Sequence, residues 1–260
     1  MNILVVGDVV GSPGRDAVAR LLPGLKKKHA IGFTVVNAEN AAAGRGITPA
    51  LAEELFAAGA DVLTLGDHAW DQREILPYLE RDPRILRPAN FAPGCPGRGI
   101  TTCATPQGPV TVLSLLGRVF VGQPADCPFR VADALLAALP ANHGPILVDI
   151  HAEATSEKVA MGWHLDGRVS AVVGSHTHVQ TADELIRPGG TAYLTDLGMT
   201  GPTHSIIGRT VESVLYRFRT GMPSKFTVAS GGVMLQGAVI SVRPETGLAL
   251  SIERIREALP

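Results

Sequence analysis

The chain has 260 residues, 45% of them hydrophobic and 18% charged, with a formal net charge of −1. Such a composition excludes a disordered chain and leaves ample core for a globular one. The near-zero charge excludes a general attraction to nucleic acid or to an anionic membrane, although a local phosphate site is compatible with it. No basic n-region with an apolar h-region opens the sequence, and no apolar run reaches membrane-spanning length, so neither a leader nor a membrane span is expected. The three cysteines, Cys95, Cys103 and Cys127, are odd in number and form no C-x-x-C pair. They read as reduced core or loop residues, and a cytoplasmic location is expected.

In chain order, Ile3-Leu4-Val5-Val6 is a short apolar strand ending in Gly7-Asp8. Gly11-Ser12-Pro13-Gly14 follows as a tight turn, and helical spacing begins around Ala17, with Lys26-Lys27-Lys28 suited to a helix C-terminus. Phe33 to Val36 forms a second strand, which ends in Asn37-Ala38-Glu39-Asn40. Thr48-Pro49 is a cap-and-proline start for a helix over Ala50 to Ala58. Asp61 to Leu65 is a third strand, ending in Gly66-Asp67-His68. The β-α-β-α-β rhythm predicts a parallel sheet with right-handed crossovers.

Asp71 to Glu80 reads as a helix, and the Pro- and Gly-rich segment Asp82 to Gly99 as a surface loop. Strands are expected at Thr101 to Ala104 and Val110 to Leu116, and a helix over Ala132 to Leu139. The buried strand Ile146 to Ile150 ends in His151-Ala152-Glu153, and a helix resumes from Ser156. A further apolar run, Val169 to Val173, leads into Gly174-Ser175-His176-Thr177-His178. Tyr193 to Asp196 is a strand, Gly198 to Pro202 a turn, and Val211 to Arg219 a helix. Phe226 to Ala229, Val233 to Val242 and Leu248 to Ile255 read as late strands. There is no repeat, low-complexity tract or linker, so residues 1–260 are expected to form one α/β domain with a second sheet.

Five strand ends carry metal-competent side chains: Asp8; Glu39 and Asn40; Asp67 and His68; His151; His176 and His178. Ligands of α/β sheets bind beyond the carboxyl ends of the strands, so all five groups are expected at one edge. On an extended segment His176 and His178 would point to the same side, and a first reading gives both to one ion. A single aspartate after a strand is commonly a turn former, but five successive strand ends speak for a site. Mixed carboxylate and imidazole donors suit Mn, Fe or Zn better than Ca or Mg. They outnumber what one tetrahedral ion needs, whereas two ions about 3.5–4 Å apart, with one carboxylate bridging, would use them.

The segments Gly7-Asp8-Val9-Val10-Gly11, Asn37-Ala38-Glu39-Asn40, Gly66-Asp67-His68-Ala69-Trp70-Asp71, Asp149 to Lys158, Gly174 to Thr181 and Asp196 to Pro202 together resemble the calcineurin-type binuclear metallophosphoesterases. More narrowly they resemble the YmdB-like branch, bacterial phosphodiesterases associated with 2′,3′-cyclic nucleotide hydrolysis. The resemblance runs from Gly7 to about Gly208. It implies a four-layer αββα sandwich, two mixed sheets flanked by helices, and two metal ions, iron or manganese first and zinc as the alternative. Asp8 and His178, with Asn40, would hold one ion. Asp67, His151 and His176 would hold the other, and Glu39 would bridge. A metal-bridging hydroxide would attack a small phosphodiester, with His68 protonating the leaving oxygen. The other role open to His68 is to orient Asp67.

Arg45 and Lys158 are candidate contacts to the substrate phosphate, and Glu153 a group that orients His151 or a neighbour. Gly11 to Gly14 lacks the spacing of a nucleotide-binding loop. Trp70 and Trp163 read as packing residues, and His29, His143, His164 and His204 as ordinary ones. The segment Asp82 to Gly99 could serve as an interface between copies of the chain. Two rivals stand beside the phosphodiesterase: a phosphomonoesterase or protein phosphatase on the same dimetal core, and a regulatory binding protein with weak residual activity.

The family pattern usually has Asn at the position of Asp67. An Asn amide ligates through its oxygen and keeps an NH₂ donor for phosphate, whereas an ionised Asp has only acceptors and adds negative charge. Asp67→Asn is therefore expected to raise activity or phosphate affinity at full metal occupancy. An unchanged or lower kcat/KM in that variant would refute this.

Overall fold

The computed structural model describes residues 1–243 and 245–260. The chain runs β1 (Asn2–Val6), β2 (Asp8–Val9), α1 (Gly11–Lys28), β3 (Ile31–Asn37), α2 (Pro49–Ala57) and β4 (Val62–Thr64). A 3-10 turn over Arg73–Ile75 then leads to α3 (Leu76–Arg81), β5 (Ile85–Leu86), β6 (Ile100–Thr105), β7 (Gly108–Leu116), α4 (Pro128–Ala138), β8 (Ile146–His151) and α5 (Thr155–His164). It closes with β9 (Ala171–Ser175), β10 (Leu185–Ile186), β11 (Ala192–Leu194), β12 (Met199–Pro202), α6 (Val211–Thr220), β13 (Val233–Val242) and β14 (Ala249–Ala258).

Two mixed sheets result. The first is ordered β2-β12-β13-β1-β3-β4-β5, with β14 on the other edge of β13; the second is ordered β10-β11-β9-β8-β7-β6. The predicted parallel run is present as β1, β3, β4 and β5. The sheet becomes mixed because β13 returns antiparallel along β1.

Side chains alternate faces along each strand, and this divides the apolar residues into three cores. Ile3, Val5, Phe33 and Val35 of the first sheet meet Val110, Val112, Leu147 and Val173 of the second. On the outer face of the first sheet Leu4, Val6 and Val36 pack with Val18 and Leu22 of α1 and Leu55 of α2. On the outer face of the second, Leu113, Leu115, Val148 and Ile150 pack with Ala132 of α4 and Met161 of α5. The layers are thus helix, sheet, sheet, helix, as the resemblance implies.

Several expectations are corrected. Helix α1 begins at Gly11, not near Ala17, because Pro13 falls in the first turn, where no backbone N–H is required. The expected helix from Asp71 is split into a 3-10 turn and α3, since Pro77 cannot donate back into a preceding turn. Gly198 to Pro202 contains strand β12, paired with both β2 and β13. Phe226 to Ala229 is not a strand. It makes one bridge, Val228 to Arg209, and a hydrogen bond on each side of it. Within Asp82 to Gly99, β5 is buried, as are Arg87 and Asn90.

Strand β13 is the seam of the first sheet, pairing with β1 and β12 on one edge and β14 on the other. A Cβ at Gly237 would lie 2.1 Å from the Val5 carbonyl oxygen, so β1 and β13 approach this closely only because residue 237 has no side chain. Gly237→Ala is expected to destabilise the fold by about 1–3 kcal/mol, the usual range for overpacking. Its chemical-denaturation midpoint should fall accordingly, and a midpoint equal to that of the parent would show that β1 can move aside.

Candidate metal centre

The carboxyl ends of strands from both sheets meet at one edge. β1 turns at Gly7 and places Asp8 in β2, β3 leads to Glu39 and Asn40, and β4 leads to Asp67 and His68. From the second sheet, β8 ends on His151 and β9 leads to His176 and His178. One donor atom each from Glu39, Asp67, His151 and His176 lies within 4.8 Å of the others, a grouping able to hold a metal ion.

The Nε2 of His151 stands 2.9 Å from His176 Nδ1, 3.1 Å from Asp67 Oδ1 and 3.2 Å from Glu39 Oε1. A single ring nitrogen carries at most one proton, so it can satisfy only one of these three groups. A cation placed among them satisfies all. Asp8 is buried beside this group. Its Oδ2 accepts from the His176 backbone N–H at 3.2 Å, while its Oδ1 is buried without a hydrogen-bond partner and 3.9 Å from His151 Nδ1. Asn40 Nδ2 lies 3.3 Å from His178 Nε2 and donates to Glu39 Oε1 at 2.9 Å. The donor set therefore fits metal in chemistry and in arrangement.

His176 and His178 do not lie on an extended segment. Their φ angles are 101° and 65°, so the strand alternation rule does not apply beyond Ser175. The two rings separate, His176 towards His151 and His178 towards Asn40.

Electrostatics follow from this crowding. Burial, reinforced by Glu39 and Asp196, pushes the Asp8 carboxyl up to about 7 despite the opposing pull of His151. Burial also acts against ionisation of Glu39 and Asp67, but His151 holds both below the usual carboxylate range, with help from His176 at Asp67. Burial opposes the charge on His151 too, yet Glu39, Asp67 and Asp8 outweigh it and raise its pKa well above the ordinary value. Burial lowers that of His178.

Four supports fix the donors. Ser175 Oγ donates to Asp149 Oδ1 at 2.7 Å, so it accepts from His151 Nδ1, 2.9 Å away, and leaves Nε2 for the cluster. Asp149 is itself held by Thr64 and Asn37, all of them fully buried. Asp196 accepts from both the backbone and the hydroxyl of Thr177, and from the backbone of Gly198, which pins the His176–His178 segment. His178 Nδ1 meets the Ile207 carbonyl at 3.0 Å and Glu153 meets His176 Nε2 at 3.2 Å. Glu153 thus serves His176, one of the neighbours expected for it.

A cavity of about 410 Å³ opens on this edge, lined by Glu39, Asn40, His68, His176 and His178 together with Arg209 and apolar side chains. His68 sits at its wall with Nδ1 3.1 Å from Asp71 and Nε2 4.0 Å from Asp67. Lys158, expected at the substrate phosphate, is instead 1% exposed and donates to Asp196 at 2.7 Å. A buried ammonium requires a counter-charge, and it has found one inside the fold. Arg45 pairs with Asp71 at 3.1 Å and is not among the residues lining the cavity. Arg209, which does line it, belongs to no motif, since its guanidinium is held by the backbone carbonyls of Ala43 and Gly44.

The two facing mixed sheets with helices outside, and this carboxylate–imidazole cluster at their edge, are the architecture of a calcineurin-like metallophosphoesterase. Within that class the sequence model of the YmdB-like protein family matches residues 4–255, and the chain belongs to that family. It is 50% identical over 255 residues to the 2′,3′-cyclic-nucleotide 2′-phosphodiesterase of Bacillus subtilis, covering 98% of this chain and 96% of that one. A hypothetical protein from Thermus thermophilus superposes with a TM-score of 0.93 at 40% identity, covering 100% of both chains. A phosphatase from Mycoplasma pneumoniae also gives 0.93, at 34% identity, covering 99% of this chain and 93% of that one.

A metal needs His151 neutral at Nε2 and Asp8 ionised. With the His151 pKa well above its ordinary value and that of Asp8 at about 7, His151 holds its proton at neutrality, Asp8 takes one up as pH falls through about 7, and metal displaces both. Affinity for Mn²⁺ or Zn²⁺ is expected to rise with pH through about 7, roughly tenfold per pH unit for each proton displaced, and to be lost as pH falls. Calorimetric metal titration in buffers of different ionisation heat checks this. Equal affinity and no proton release at about pH 6 and about pH 8 would contradict it.

Proposed function

We propose that the protein is a metal-dependent phosphodiesterase acting on small phosphodiesters, with 2′,3′-cyclic nucleotides as its substrate class. The observation that carries this reading is the Glu39, Asp67, His151 and His176 cluster opening on a cavity that also holds His68. The named activity of the Bacillus relative supports the choice of substrate. Two ions are proposed, Fe or Mn first and Zn as the alternative. Asp67, His151 and His176 hold one, Asp8, Asn40 and His178 the other, and Glu39 is shared. In support, Asn40 Nδ2 stands 2.9 Å from Glu39 Oε1 and 3.3 Å from His178 Nε2, and buried Asp8 keeps one carboxylate oxygen without a hydrogen-bond partner. When bound, such ions neutralise the non-bridging phosphate oxygens and acidify a water at neutral pH.

The chain's own residues supply the rest. Asp71 accepts the Nδ1–H of His68 and sets the ring so that Nε2 is the nitrogen available at the cavity. His68 holds a proton at Nε2 and delivers it to the departing ribose oxygen, a poor leaving group unless protonated. Glu153 orients His176, and the Asp149–Ser175 pair orients His151. Residues 1–260 are taken as one working domain, supported by the return of β13 onto β1, with β14 pairing on the other edge of β13. A cytoplasmic setting is supported by three cysteines that are all free. Among the described residues no helix is long and apolar enough to cross a membrane. Self-association of the chain belongs to the same proposal, with exposed Ala92, Pro93 and Gly94 as the candidate contact.

Metal-reconstituted protein is expected to cleave bis(4-nitrophenyl) phosphate faster than 4-nitrophenyl phosphate, and to open 2′,3′-cyclic AMP. The reverse preference would favour the monoesterase, and no diester turnover at full metal occupancy would favour the binding protein. His68→Ala should lower kcat about 10²–10⁴-fold on the cyclic nucleotide, the usual worth of a general acid, and much less on the nitrophenyl diester, whose leaving group needs no proton. Normal turnover of the cyclic nucleotide by that variant would remove the acid role.

A further inference from the structure

We propose that the wall facing the metal donors is a nucleoside subsite, in which Arg209 grips the anionic end of the substrate and Phe218, Phe226 and Ile207 receive the base. The proposal rests on the phosphodiesterase reading and adds the residues that select the substrate. Three independent features of the wall carry it.

The first is a free cation. Arg209 is half-buried and forms no ion pair among the described residues, whereas Arg45 and Lys158 are each spent on a carboxylate. Its Nη1 and Nη2 donate to Ala43 at 3.1 Å and Gly44 at 2.6 Å, which fixes the plane of the guanidinium at the cavity wall. Arginine carries five N–H donors, so three remain for a ligand. A pre-set fork of this kind suits phosphate oxygens.

The second is local strain. Ile206 and Arg209 exchange both backbone hydrogen bonds, at 2.9 and 3.0 Å, around a two-residue turn with φ of 43° at Ile207 and 94° at Gly208. Asn or Gly suits the first position of such a turn, and a β-branched residue there is disfavoured. The Ile207 side chain is 52% exposed, so core burial does not offset the strain. Strain kept without a packing return marks a segment held for function: the turn gives the Ile207 carbonyl to His178 Nδ1 at 3.0 Å and leaves the apolar Ile207 side chain lining the cavity.

The third is aromatic exposure. Phe218 is 75% exposed on α6, and it lines the same cavity as Phe226 and the donor residues. Flat aromatic faces stack on any base. At about 410 Å³ the cavity lies in the range of small-ligand sites. An anion-binding fork, an aromatic face and the donor cluster in one such volume match a mononucleotide diester.

The test compares 2′,3′-cyclic AMP with its base-free counterpart, methyl riboside 2′,3′-cyclic phosphate, using full-length metal-loaded protein. Phe218→Ala should lower the ratio of kcat/KM values, nucleotide over base-free diester, about 5-fold or more, the usual worth of one base stack. Ile207→Gly should lower the same ratio while its Tm stays level or rises, since the turn relaxes. Arg209→Gln should lower kcat/KM on both substrates about 10-fold or more, as for a lost charge-assisted hydrogen bond, with the ratio unmoved. An unchanged ratio in both Phe218→Ala and Ile207→Gly, or an unaffected Arg209→Gln, overturns the proposal. If the parent cleaves neither substrate, the phosphodiesterase reading fails and the subsite is judged by binding of adenosine 3′-monophosphate. Binding weakened about 5-fold or more by Phe218→Ala upholds it, and absent or unaltered binding overturns it.

Discussion

The crowding of like donors around His151 Nε2 is the constraint on which the rest of the structure depends. Three carboxylates, Asp8, Glu39 and Asp67, meet the imidazoles of His151 and His176 in a place largely closed to water. In a low-dielectric setting such groups repel one another and resist desolvation. They stay together only if the scaffold cannot relax. Strand ends provide this, because a residue one or two positions past a paired strand has little freedom to swing away. Beneath them, the fully buried Asp149, Ser175, Asn37 and Thr64 bond to one another across the junction of the two sheets. Each sheet thus holds the other's candidate donors in register.

The second half of the chain contributes a different kind of control. The ammonium of Lys158 on α5 compensates Asp196, and Asp196 in turn holds Thr177 between the two histidines. A buried pair of this kind contributes little net stability, but it fixes a segment whose positive φ angles no strand could impose. The turn at Ile207 and Gly208 acts in the same way on His178, by presenting a carbonyl to its Nδ1. Rigidity at this edge therefore comes from hydrogen bonds to particular oxygens, not from apolar packing, and single-atom changes there reach the donors directly.

This difference explains what could be read from the sequence. The strands leading to Asp8, Glu39, Asp67, His151 and His176 are buried apolar runs that stop at a polar residue, a signal that survives without any tertiary knowledge. The three-core layering follows from alternation along them. Strand β12 was hidden because Met199-Thr200-Gly201-Pro202 has a turn's composition, while its pairing is made by backbone groups. The fate of Lys158 was hidden because its partner lies 38 positions away. Arg209 was hidden because carbonyls, which every residue has, hold it. Separation of the two histidines depended on φ angles that a His-x-His spacing does not encode.

Asp67 shows how far one atom can reach in such a site. Its Oδ1 faces both His151 Nε2 and His176 Nδ1, at 3.1 and 3.4 Å. An asparagine oxygen could take that place, so the ligand face of the residue tolerates either side chain. The other face does not. Oδ2 stands 4.0 Å from Nε2 of His68, whose Nδ1 is already turned to Asp71. At that distance the carboxylate acts on His68 through its charge and not through a hydrogen bond, so Nε2 stays the nitrogen at the cavity. An amide there would remove that charge from beside the imidazole. The choice between Asp and Asn at position 67 therefore sets the charge beside His68 and at the edge where the donor residues gather.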